Sequence, residues 1–290
     1  MPIDYRYHIG SFVAIFVALL LGILIGIGLA PNPEELNRVV AGLKEEYRTV
    51  SKSKEEEISQ LRDTNRESEM LAREAVAALV RDRLAGKRVA LILGHNFGSD
   101  PLPENLRAVV KQAGATVTST SVVTLDFVSL PAAVKQKVAQ RLNLYPPPGV
   151  HFRSLIAEAV VKDLVRGRPD LIRELHSSGL LTSTADSDYE ARPDLVLIVG
   201  GLPSASEGAP DRIDLAMIEE LTQLGVRVVG AEPREAAVSV MPIYNAAGIP
   251  TVDNADTAAG RLSVVLALAG ADGHFGVKDT AESFLPPIPR

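Results

Sequence analysis

Cysteine and tryptophan are absent from the 290 residues, and methionine occurs only at Met1, Met70, Met217 and Met241. Without cysteine there are no disulfides, thiolate zinc sites, iron–sulfur clusters or cysteine nucleophiles. Soft metal ions are held by thiolate and thioether ligands, and the four methionines do not cluster. Aromatic residues make up 4% of the chain, which disfavours a stacking platform for bases or sugars. The formal net charge is −6 and no basic patch is present, so nucleic acid is not expected as a partner. No G-x-S-x-G elbow, G-x-G-x-x-G turn or phosphate-binding loop occurs. The histidines, His8, His95, His151, His176 and His274, lack metal-like spacing. The chain is therefore not expected to be an enzyme, and no catalytic residue is assigned.

Charge is also missing from Ile9 to Leu29, IGSFVAIFVALLLGILIGIGL. At 1.5 Å per residue this run makes a helix of roughly 31 Å, about the thickness of a bilayer's hydrocarbon core. The expectation is one uncleaved spanning helix, because Leu29-Ala30-Pro31 is a poor cleavage context. Arg6 on one flank and Glu34 and Glu35 on the other place residues 1–8 in the cytoplasm and the bulk of the chain outside a cell membrane. Gly22 and Gly26 form a G-x-x-x-G pair, a candidate seam for dimerisation.

From Glu34 to Lys87 there are 12 acidic and 11 basic residues and no proline. Leu36, Val40, Leu43, Tyr47 and Val50 follow steps of four and three, the spacing of a coiled-coil seam. The pattern weakens at Lys54 and Glu57, then resumes in altered phase with Ile58, Leu61 and, later, Leu71, Ala75 and Ala78. A helix this long is poorly stabilised alone, so a parallel dimeric coil over 34–87 is expected. A homodimer or higher homo-oligomer follows from it.

After Gly86 the periodicity changes. Arg88 to Leu93, a helix from about Pro103 to Ala113, and Thr116 to Val123 read as a β-α-β unit. Helices interrupt between 131 and 178. Strands then recur at Leu195 to Val199, Val226 to Ala231 and Pro250 to Val252, with helices over Asp211 to Leu224 and from Thr257 to about Ala269. The expected fold class is α/β: an N-terminal transmembrane helix, a coiled-coil stalk and a Rossmann-like parallel sheet over 88–270 with a helical insertion. Residues 271–290 read as a tail. Ligands of open α/β sheets sit beyond the carboxyl ends of the strands. Gly94, Asn96 and Gly98 after the first strand, with Gly200, Gly201 and Ser204 after a later one, are the candidate ligand-binding residues. They serve equally as turn residues. Glu232 and Arg234 could line the same cleft, or read as solvated loop charges.

Arg6-Tyr7-His8-Ile9-Gly10-Ser11, then Ala14, Phe16, Ala18-Leu19 and the Gly22/Gly26 pair, resemble the start of the mycobacterial copper transport protein B (MctB-like) family. The strand Lys87 to Ile92 and the later Gly276-Val277-Lys278-Asp279-Thr280-Ala281 with Leu285-Pro286 are similar as well. The resemblance implies an envelope protein of copper transport or homeostasis, with copper as its cargo and an outer-membrane location as described for mycobacterial relatives. His8 is the one matched residue with metal-ligating chemistry, and it suits an interfacial role equally well. The residues themselves suggest a non-catalytic dimeric scaffold or sensor, with membrane lipid and a protein among its partners. A nucleotide- or sugar-binding enzyme is the remaining alternative.

Overall fold

The computed structural model describes residues 5–28, 33–123, 136, 139–140, 151–179, 181–202 and 213–288. It divides into two compact units, Met1–Glu67 and Ser68–Arg290.

The first unit is helical. Helix α1 spans Tyr5–Gly28, and each side chain described in it, from Phe12 to Gly26, is exposed. Among the described residues, no helix is long and apolar enough to cross a membrane. This corrects the expectation of a spanning helix over Ile9 to Leu29. The helix opens on Tyr5-Arg6-Tyr7-His8, so part of its length is polar rather than apolar. Helix α2 runs unbroken over Pro33–Val80. Its first residue is a proline, which tolerates the first turn because its missing N–H has no intrahelical partner there. Within this first unit its surface carries pairs such as Lys52–Glu56, 4.0 Å apart one turn on, each worth a few tenths of a kcal/mol.

The second unit begins with the last turns of α2. After Val80 the chain reverses through Asp82, at φ 59°, a left-handed position that a short polar side chain tolerates. Among the described residues seven strands follow: β1 Arg88–Leu93, β2 Thr116–Val123, β3 Leu181–Ser183, β4 Leu195–Val199, β5 Arg227–Ala231, β6 Thr251–Val252 and β7 His274–Phe275. Between them lie α3 Leu102–Gln112, α4 His151–Arg166, α5 Asp170–Ser177, α6 Ile213–Gln223, α7 Met241–Ala246 and α8 Ala258–Leu268. The strand order is β3-β2-β1-β4-β5-β6-β7. The α/β class holds, but the sheet is mixed rather than parallel. β3 pairs antiparallel with β2, with Val123 opposite Leu181, while every other neighbouring pair is parallel. Leu-Thr-Ser is too short to show a period of its own, and only its neighbour defines it as a strand.

β1 and β4 read as unbroken apolar runs because both faces of the sheet are covered. Ala90, Ile92, Val196 and Ile198 pack into one core with Ile156, Met217 and Tyr244. Val89, Leu91 and Leu197 point the other way, into a core with Leu106, Val265 and the α2 residues Val76 and Val80. Strand β2 is different: Thr118, Ser119, Thr120 and Ser121 are buried polar residues. Its outer edge is closed by the segment after β3, an arrangement that removes an unpaired sheet edge. Asp188 N–H donates to the Thr118 carbonyl at 2.7 Å, and Ser121 and Tyr189 hydroxyls lie 2.7 Å apart.

The clasp of that edge is Arg107 on α3, whose guanidinium donates to Thr184 Oγ1 at 3.0 Å and to the Asp186 carboxylate. That hydrogen bond, seconded by Thr184, holds the Asp186 carboxyl down at about 2, from an ordinary 3.8. A depressed carboxyl pKa stabilises the fold above the unfolded value and ceases to do so as pH falls through the folded one. Asp186→Asn should therefore remove part of the stability loss between about pH 4 and pH 2. Acid titrations followed by circular dichroism check this, and identical slopes for the two proteins would refute it.

Candidate functional site

The place to look is the carboxyl edge of the sheet, where the chain leaves β1 toward β2 on one side and β4 toward β5 on the other. β1 and β4 are neighbours, so this switch point brings Gly94 and Gly200 together. Gly94 N–H donates to the Val199 carbonyl at 2.8 Å, and Gly200 N–H to that of Ala231 at 2.9 Å.

The protein's own side chains occupy the space against these glycines. A β-carbon on Gly94 would stand 3.2 Å from Asp214 Oδ2, and one on Gly200 would stand 2.7 Å from both the Tyr244 hydroxyl and Val240. Asp214 lies in the first turn of α6. The fully buried Tyr244 donates its hydroxyl to Asp214 Oδ2 at 2.5 Å. Burial first, and then the Asp214 charge, push the Tyr244 phenol well above its ordinary range, so it stays protonated and keeps donating. A carboxylate at the switch point repels a phosphate. This crevice is therefore unsuited to the anions that Rossmann-like sheets commonly take there.

The other sequence candidates fall into turns. Asn96 Oδ1 accepts from Gly98 N–H at 2.9 Å, a side-chain-closed turn whose Gly98 sits at φ 57°. Gly201, at φ 86°, precedes the bridge between Leu202 and Val238. Ser204 lies outside the described residues, as do the side chains of His8 and Leu36. Gly22 and Gly26 lie on α1 with nothing within 4 Å of an added β-carbon. Val40, Leu43, Tyr47 and Val50 are exposed on α2.

One strand further along, the structure departs from the sequence reading. Glu232 is no solvated loop charge: its exposure is 0%. It follows directly on β5, and its carboxylate accepts from Ser239 Oγ at 2.6 Å, Val240 N–H at 2.8 Å and Lys278 Nζ at 2.6 Å. Lys278 Nζ also reaches the Pro233 carbonyl at 3.2 Å. The same segment grips β6, since Val277 and Lys278 N–H groups donate to the two Asp253 carboxylate oxygens at 2.7 and 2.9 Å. Gly276, at φ 142°, is a position where a β-carbon would run into the Asp253 carboxylate. Arg234 remains exposed.

The Gly276-Val277-Lys278 run is thus a cross-brace over the carboxyl ends of β5 and β6. Its lysine supplies the positive charge that a buried Glu232 requires. Among the described residues no group of three or more His, Cys, Asp and Glu side chains is arranged to hold a metal ion. Met217 and Met241 are buried together in one core, whereas Met70 is exposed on α2. Sequence reasoning missed the burial of Glu232. The available signal was its position directly after the apolar strand Val-Val-Gly-Ala, where the backbone is still inside.

A family model described as "Copper transport outer membrane protein, MctB" matches residues 2–286. Proteins named "Copper transporter MctB" from Mycobacterium bovis and Mycobacterium tuberculosis are 25% identical to this chain over 235 residues. The similarity covers 71% of this chain and 74% of each relative.

Proposed function

This chain belongs to the MctB family, and from that premise we propose that it serves copper handling in the cell envelope as a non-catalytic dimeric scaffold. The family description names transport and an outer membrane rather than a catalysed reaction. The observation that carries the scaffold reading is the carboxyl edge of the sheet. There, Glu232, Lys278, Asp214 and Tyr244 satisfy one another in the place where an enzyme of this class would hold its ligand. The α/β unit is then a rigid body that presents a surface to a protein partner, and copper is cargo of the system rather than a resident ion.

Helix α1 supplies the contact with membrane lipid. Its exposed Phe12, Ile15, Phe16 and Leu19 have no polar face, and a helix apolar on every side needs a non-aqueous neighbour. Helix α2 supplies the stalk through which copies associate.

Deleting the gene should change cell-associated copper at least twofold under copper stress, measured by elemental analysis. The isolated full chain should bind no copper with submicromolar affinity. Unchanged cellular copper would refute the copper role, and tight stoichiometric copper binding would refute the scaffold reading.

A further inference from the structure

Five charged residues are buried among the described residues: Arg107, Glu220, Glu232, Asp253 and Arg261. Four of them are balanced. Arg107 pairs with Asp186, Glu220 with Lys162 and Glu232 with Lys278, while Asp253 accepts from the Val277 and Lys278 N–H groups. Arg261 is the exception. It is 8% exposed, and among the described residues its guanidinium makes one hydrogen bond, from Nη1 to the Asp256 carbonyl at 2.7 Å. No described carboxylate forms an ion pair with it. The Asp256 carboxylate is engaged elsewhere, its Oδ1 accepting the Arg234 N–H at 2.7 Å. Position adds to the cost. Arg261 lies near the amino end of α8, shortly after the Thr257 cap, where the helix dipole presents its positive end and disfavours a cation. A buried charge without a counter-charge is expensive.

A second cation stands beside it. Ala72 and Val76 of α2 share a core with Ala258 and Leu262 of α8, which brings the turn carrying Glu69 and the exposed Arg73 toward the amino end of α8. Burial first, and then the Arg73 charge, lower the Arg261 pKa, and Glu69 and Asp256 offset part of that. The guanidinium stays charged at neutral pH. We infer that the amino end of α8 is a binding site for a phosphate-sized oxyanion, held between Arg261 and Arg73. The Asp256 carbonyl fixes one edge of the Arg261 fork and leaves its other N–H groups to the ligand. Two planar guanidinium forks suit a tetrahedral oxyanion better than a spherical chloride, and the helix end adds its own attraction for negative charge. Glu69 opposes the ligand and keeps its affinity modest. The inference goes beyond the scaffold reading: the crevice at Gly94 and Gly200 turns anions away, whereas this flank of the same unit draws one.

The test titrates the full chain, kept in mild detergent, with potassium phosphate against potassium chloride of equal ionic strength. Phosphate should bind once per chain and, at about ten times its Kd, raise Tm by roughly 3 °C over chloride. Arg73→Gln, a change at an exposed position, should weaken phosphate binding about tenfold. Glu69→Gln should tighten it about threefold by removing the opposing charge. Arg261→Gln should abolish it, with folding checked by circular dichroism. If that buried variant fails to fold, Arg73→Gln still decides. No effect of phosphate beyond chloride would overturn the site. So would an effect that Arg73→Gln leaves unchanged, or weaker binding in Glu69→Gln. Short-chain phosphatidic acid separates the two sources of the group. Binding about tenfold tighter than phosphate, and lost in Arg73→Gln, supports the site with a lipid headgroup as its ligand. Equal binding supports it with free phosphate.

Discussion

Lys278→Met should destabilise the α/β unit by about 3 kcal/mol, because it strips the counter-charge from a carboxylate with no exposure to solvent. Removing one partner of a buried pair costs about 3–5 kcal/mol. The lower end applies here, since the lysine side chain keeps 22% of its own exposure and water can reach part of the vacated space. In a unit of this size that corresponds to a fall of roughly 6–12 °C in Tm. Lys278→Met combined with Glu232→Gln should recover much of the loss, because the charge and its partner then leave together. Urea titration of the three proteins checks this. A single mutant within about 0.5 kcal/mol of the native chain would show that Ser239 and Val240 satisfy Glu232 without help.

Gly260→Ala is expected to act against the usual sign. Inside a helix, alanine in place of glycine ordinarily gains about 0.5–1 kcal/mol. Gly260 lies in the first turn of α8, where Thr257 caps the helix by accepting its N–H at 3.0 Å. A β-carbon there would overlap the carbonyl of Asn254, with the Asn254 side-chain oxygen also close. The obstacle is backbone and cannot rotate aside, and all eleven residues of α8 except Ala259 are buried. Overpacking of this kind costs about 1–3 kcal/mol, which outweighs the propensity gain. A net loss of about 1–2 kcal/mol is the expected result, measured as the shift in urea midpoint. A stabilised Gly260→Ala would mean that α8 slides easily on the loop before it.

The legible parts of the fold were those whose signal is local. β1 and β4 stood out as Arg-Val-Ala-Leu-Ile-Leu and Leu-Val-Leu-Ile-Val because in both strands the residues facing each of the two cores are apolar. α3 and α6 were found within two residues of their ends because their turns carry glycine and proline. The short β6 was read at Pro250 to Val252, whereas β3 and β7 have three and two residues and exist through pairing, which no short window of sequence displays. For that reason His274–Phe275 sat unseen in a stretch read as a tail. The site failed in the opposite way. Gly94 and Gly200 were placed at the right edge of the sheet, but the side chains pressed against them, Asp214 and Tyr244, come from helices far along the chain. Glycine marks a close approach without naming what approaches. The apolar run at Ile9 was correctly seen as helical, and its proposed span outran the residues the structure describes.

The brace at Gly276-Val277-Lys278 also gives the fold a direction in time. Lys278 closes on a glutamate 46 positions earlier, and β7 pairs with β6 from beyond α8. A polypeptide emerging from the ribosome presents its amino-terminal parts first, so the strands up to β5 are made well before this unit can complete its sheet. Glu232 must wait in water until the final segment arrives, and only then does burying it become favourable. The Gly276-Val277-Lys278 run thus acts as the latch of the sheet.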